Sequence, residues 1–198
     1  MIGAHAPFEG PIFIRTKSTH PVTPALIAGV SAGVLAASGV CAQSPKPLPN
    51  PVIERAPGIR PLGRGRHTWW GLHMYDATLW IVGLQFAPSQ PHALDLEPGQ
   101  SGSSEMLVKS AIDEMRRQKV GDDGRLRAWA KEMKQVIPGV QRGDQVVIFC
   151  PADNETLVYF NGVQRGVVED PTLCPAIMNV WLHPSTRHQQ VRKGLLGK

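Results

Sequence analysis

Arg66 and Tyr75 share one aromatic-rich stretch, GRGRHTWWGLHMYDATLW, running from Gly63 to Trp80. A guanidinium at the mouth of an apolar cleft pairs bidentately with a carboxylate or stabilises an enolate or phenolate. A phenol donates to a ligand oxygen. Each residue also has a plainer role. An arginine at a strand end turns to solvent, and a tyrosine on an alternating strand packs its ring in the core. Arg66 is the candidate anchor and Tyr75 a candidate donor. Trp70 and Trp80 are expected to pack, because large aromatics dominate burial.

Other groupings carry less chemistry. On a regular strand His67 and His73 stand about 20 Å apart, too far to share a metal. Asp122-Asp123-Gly124 lacks the remaining ligands of a calcium loop. GRGRHTWWG opens no helix and so is no dinucleotide loop. His183 and His188 flank a loop and a helix start and are read as surface residues. No metal site and no cofactor is expected. Cys150 and Cys174 either close a disulfide, worth about 3 kcal/mol for a loop of this size, or stay as two buried thiols. Nothing local pairs either cysteine with a histidine as a nucleophile.

These residues sit in a chain of 198, with 42% hydrophobic and 19% charged residues, a globular composition. Residues 25–40, ALIAGVSAGVLAASGV, carry no charge, follow Arg15 and Lys17, and precede Val40-Cys41-Ala42. That is the layout of a secretory signal peptide over residues 1–42, and it implies export to the periplasm. The run is too short and too rich in small residues to remain as a membrane span. Losing Arg15, Lys17 and Glu9 with the leader lowers the net charge of +5 by one. The remaining charge is scattered, which argues against a nucleic-acid partner.

Six prolines between Ser44 and Pro61 predict a solvated linker over residues 43–60. Residues 61–198 then form the domain. Residues 66–84 read as one long strand bent or bulged at Gly71, with Tyr75, Ala77, Leu79 and Ile81 on one face and Asp76, Thr78, Trp80 and Val82 on the other. Leu94 to Leu96 is a short strand. Leu107, Ala111, Ile112 and Met115 give a first helix, capped by Ser101 or Ser103. Leu126, Trp129, Met133 and Ile137 give a second, capped by Asp122 or Asp123 and stopped at Pro138-Gly139. Gln145 to Phe149 is a strand, and Asn161-Gly162 turns a hairpin. Asp170-Pro171 opens a third helix, and a last one covers about residues 186–196. The order excludes strict βαβ alternation. The expected class is α+β, an antiparallel sheet with helices packed on one face.

Gly65-Arg66, Trp70-Gly71, Met74-Tyr75-Asp76-Ala77 and Leu79-Trp80 resemble the strand signature of the bacterial chalcone isomerase-like proteins. The likeness continues through Asp113-Glu114-Met115-Arg116, Trp129, Met133, Gly143-Asp144, Asn161-Gly162, Asp170-Pro171, Val180-Trp181-Leu182 and Leu195-Leu196-Gly197. It implies a cleft between sheet and helices. The wider superfamily holds plant chalcone isomerases and fatty-acid-binding proteins without known catalysis. The plant enzymes use an arginine at the start of this strand and a threonine further along. The resemblance implies Arg66 for the arginine, with Arg64 and Arg60 as competitors. Trp70 stands where the threonine would fall, and Thr68 and Thr78 are displaced from it. Thr78 joins Arg66 and Tyr75 as a candidate ligand contact. Glu97-Pro98-Gly99-Gln100 replaces the tyrosine and arginine of many bacterial relatives, which argues against chalcone isomerase activity.

The expected function is therefore an exported, non-catalytic protein that binds a small apolar or amphipathic, fatty-acid-like ligand. The alternatives are an isomerase or intramolecular lyase of the plant type, and a structural or partner-binding envelope protein whose cleft is filled by side chains.

Overall fold

Short runs of alternating apolar residues, joined by two-residue turns, longer loops or helices, make a six-stranded antiparallel sheet in the order in which its strands occur. The computed structural model describes residues 44–153 and 155–198, so the expected leader lies outside the described residues. The elements are α1 (Asn50–Arg55), β1 (Arg60–Trp69), β2 (Leu72–Ile81), β3 (His92–Pro98), α2 (Ser104–Arg117), α3 (Asp123–Val136), β4 (Val146–Cys150), β5 (Thr156–Phe160), β6 (Val163–Val168), α4 (Leu173–Leu182) and α5 (Gln189–Leu195). The architecture is α+β, with α2 to α5 on one sheet face.

On that face Leu79, Ile81, Leu94, Val146, Ile148 and Val158 pack against α2 to α5. The helices form as their residues dictate. Ser103 accepts from Met106 N at 3.2 Å and caps α2; Asp122 accepts from Arg125 N at 2.8 Å and caps α3. In α3, Leu126, Trp129 and Met133 recur at helical spacing and are buried against the sheet. α4 begins at Leu173, later than Asp170. Asp170 instead binds Thr172 N at 2.8 Å and accepts from Trp129 Nε1 at 2.8 Å, tying α4 to α3. α5 lies directly on β1. A Cβ on Gly63 or Gly65 would run into the backbone of Gly194 or Val191, so only glycine admits the contact.

Two expectations are corrected. The segment at residues 43–60 is not a solvated linker. Leu48, Val52 and Ala56 are buried against Ala93, Val147, Phe149, Leu157 and Tyr159, so α1 covers the second sheet face. Pro51 sits in the first turn, where its missing N–H costs no intrahelical bond. Burying a valine such as Val52 contributes about 1.5–3 kcal/mol. The long bent strand is instead a hairpin. Trp70 and Gly71 have φ of 51° and 75°, the positive pair of a type I′ turn, and Trp69 pairs with Leu72. Asn161 and Gly162 make the same turn between β5 and β6, as their types predict.

Candidate functional site

A cavity of about 330 Å³ separates the sheet from its helices. Leu96, Val146 and Ile148 form its floor, and Leu107, Ala111, Met133, Ile137, Ile177 and Val180 close it from α2, α3 and α4. Among the described residues that line it, none is Asp, Glu, Lys or Arg. Such a lining favours the apolar part of a guest.

Its polar corner is built by β1, β2, α4 and the residue before α5. His67 and Tyr75 are cross-strand partners, with ring centroids 5.0 Å apart. His188 meets His67 edge-on at 4.9 Å. Trp181 Nε1 donates to Tyr75 Oη at 3.0 Å, since an indole N–H only donates. The tyrosine's own proton is then free for His188 Nδ1, at 3.1 Å. Burial pushes the Tyr75 hydroxyl up, against the Trp181 hydrogen bond, so it stays protonated. Burial holds both imidazoles below the usual histidine range, and for His188 the neighbouring His67 adds to this. The corner is thus neutral and rich in hydrogen-bonding atoms.

The three candidate contacts separate. Tyr75 lines the cavity. Arg66 does not, and this corrects its expected role as the anchor. Its register partner is Asp76, whose side chain alternates away from Tyr75. Arg66 Nε donates to Asp76 Oδ1 at 2.7 Å and Nη2 to Oδ2 at 2.9 Å, with the arginine side chain 58% exposed. Arg64, the competitor, binds Glu97 at 2.7 Å and Asp76 at 3.3 Å on the same face. Arg60 donates to Gly83 O at 3.0 Å. Thr78 is also turned from the cavity. It is buried beside Arg64, whose Nη1 lies 3.4 Å from its Oγ1. His73 joins this charged group, 3.4 Å from Asp76 Oδ2, so it does not meet His67.

Sequence reasoning missed His67, His188 and Trp181. The parity of His67 with Tyr75 was a usable signal for the first. His188 is 113 residues from Tyr75, and no local pattern joins them. Away from this cavity Cys150 and Cys174 form a disulfide with Cα atoms 6.1 Å apart. His92 Nε2 stands 4.0 Å from Cys174 Sγ, so a cysteine–histidine cluster does exist where none was expected.

With the sheet, its helical cover and the cleft between them in view, comparison with known proteins places the class. Residues 86–197, more than half of the chain, match the chalcone isomerase-like family, and the chain belongs to that family. Its fold is similar to the crystal structure of a fatty-acid binding protein of Arabidopsis thaliana, with a TM-score of 0.53 and 15% sequence identity. That alignment covers 71% of this chain and 88% of the other. No curated protein matches the chain by sequence.

Proposed function

We propose that this protein is exported to the periplasm and there binds, without catalysis, a small apolar or amphipathic molecule in the cavity between sheet and helices. The observation that carries the reading is the cavity itself: about 330 Å³, walled largely by aliphatic and methionine side chains with a polar corner at Tyr75, His67 and His188. The fatty-acid binding named for the Arabidopsis neighbour supports a long-chain guest. The apolar tail lies along Ile148, Met133 and Ile177. The polar end meets Tyr75, His67 and His188 in place of an arginine. Export rests on the leader of residues 1–42.

Non-catalytic binding is favoured over isomerisation by the charge of the lining. An enolate or phenolate formed in the cavity would have no cation beside it among the described lining residues, and Tyr75 is held neutral. A purely structural role with a filled cleft is disfavoured by the open volume.

Native mass spectrometry of protein secreted with its own leader tests the reading. The expected spectrum shows a chain beginning at Gln43 and carrying a small molecule that solvent extraction removes. A chain at its bare mass, which also fails to take up an added long-chain fatty acid or alcohol, would refute it.

A further inference from the structure

His92, Cys150 and Cys174 meet under the start of α4, and no residue of this cluster lines the apolar cavity. His92 and Cys150 are register partners on β3 and β4, and Cys174 sits in the first turn of α4. One donor atom from each falls within 4.8 Å of the others, and all three residues are at least 95% buried.

The histidine is oriented like a ligand. His92 Nδ1 lies 2.7 Å from Gln90 O, and a carbonyl only accepts, so the proton is on Nδ1. The Nε2 lone pair therefore points into the cluster. Cys174 Sγ lies 4.0 Å from it, and a disulfide sulfur has no proton to give. While the disulfide stands, neither sulfur can donate to Nε2. An Nδ1–H held by a backbone carbonyl is also the outer-shell bond that fixes a metal-binding imidazole.

We propose that reduction of the Cys150–Cys174 disulfide opens a site for a divalent cation of zinc's class, held by two thiolates and His92 Nε2. With a phosphine as reductant the S–S bond breaks and each sulfur gains a proton. The phosphine takes the oxygen of water and becomes its oxide. Zn²⁺ then displaces the two thiol protons to solvent, and His92, already neutral at Nε2, loses none. A second cavity of about 150 Å³ adjoins the cluster and leaves room for water at the fourth tetrahedral position. Disulfide and metal exclude one another, so the cation is held only while the thiols are reduced.

Co²⁺ titration of the full chain, reduced anaerobically with a phosphine, tests this. The expected result is one cobalt per chain, thiolate-to-cobalt charge-transfer absorption, tetrahedral ligand-field bands, and displacement by Zn²⁺. The oxidised wild type, folded and with its sulfurs bonded, should show none of these. H92Q, folded by circular dichroism, should bind at least about tenfold more weakly with shifted bands. A reduced, folded chain without the charge-transfer band would overturn the proposal. So would an H92Q spectrum and affinity equal to wild type.

Discussion

Arg66 and Asp76 face each other across β1 and β2 and close a two-point ion pair, at 2.7 and 2.9 Å, on the sheet face turned from the cavity. This fixes what Arg66 can do. Arg66→Ala should leave affinity for a long-chain guest within about twofold of wild type, while lowering stability because buried Asp76 loses its two-point partner and keeps only Arg64 and His73. Isothermal titration of both proteins checks it. A loss of tenfold or more would return Arg66 to the binding site.

Asp76 itself is buried and should matter more. Burial opposes its ionisation, but Arg66, with Arg64 and His73, outweighs that and holds its carboxyl below the usual range. Glu114 is likewise buried. Its hydrogen bonds from Arg117, Arg187 N and Gln118 prevail over burial and bring it down to about 2. A depressed carboxylate gives stability that is present above its unfolded pKa and is lost as pH falls through the folded value. Stability should therefore drop between about pH 4.5 and 2. Asp76→Asn should cost about 3 kcal/mol at pH 7 and less at pH 2.5, below the unfolded carboxylate value. Denaturant melts at the two pH values decide the matter, and an equal cost at both would contradict the assignment.

Asp95 runs the other way. Burial raises it to about 7 despite a hydrogen bond from Gln145, with the charge of Glu97 adding to the shift. A raised carboxyl gives stability that is full below its unfolded pKa and is lost as pH rises through the folded value. Asp95→Asn should raise the melting temperature at pH 8.5 by about 5 °C and barely change it at pH 4. The same gain at both pH values would show that ionisation of Asp95 is not the cause.

The turn between β1 and β2 carries a different cost. Trp70 is 91% exposed and holds a left-handed φ of 51°. A non-glycine residue there costs about 1 kcal/mol, and asparagine pays least. Trp70→Asn should therefore stabilise the fold by about 0.5–1 kcal/mol in urea melts. A destabilised variant would mean that Trp70 makes a contact that its exposure conceals.

The polar corner predicts how pH selects the guest. His67 and His188, with Tyr75, Trp181, Glu114, Arg117 and Arg187 around them, are neutral at pH 7.5 because burial disfavours the imidazolium. Protonation below that adds positive charge beside the guest's polar end. The affinity for a fatty acid relative to the matching alcohol should therefore rise only as pH falls below the usual histidine value of about 6.5. In a His67→Gln, His188→Gln double variant that ratio should stay flat. A wild-type ratio independent of pH would remove the histidines from the site.

What the residues announced in advance was local. Asn161 and Gly162 tolerate positive φ, so their hairpin was legible. Leu126, Trp129 and Met133 repeat at helical spacing, so α3 was too. The Trp70-Gly71 hairpin was not, because tryptophan seldom adopts the left-handed region. α1 hid behind its prolines, although Leu48, Val52 and Ala56 recur every four residues and Pro51 is allowed in a first turn. Tyr75 was found from strand alternation, and the same alternation would have paired Arg66 with Asp76 had the register been known. Trp181 and His188 reach Tyr75 only through tertiary packing of α4 and α5.

Titration of a long-chain alcohol into wild type and into Ala111→Trp tests the cavity most directly. Ala111 lines it from α2, and an indole there would occupy much of the open volume. Wild type should bind one guest per chain, and the variant, with its melting temperature retained, should bind at least about tenfold more weakly. Equal binding by a folded variant would place the guest elsewhere, and no binding by wild type would leave the cavity without the function assigned to it.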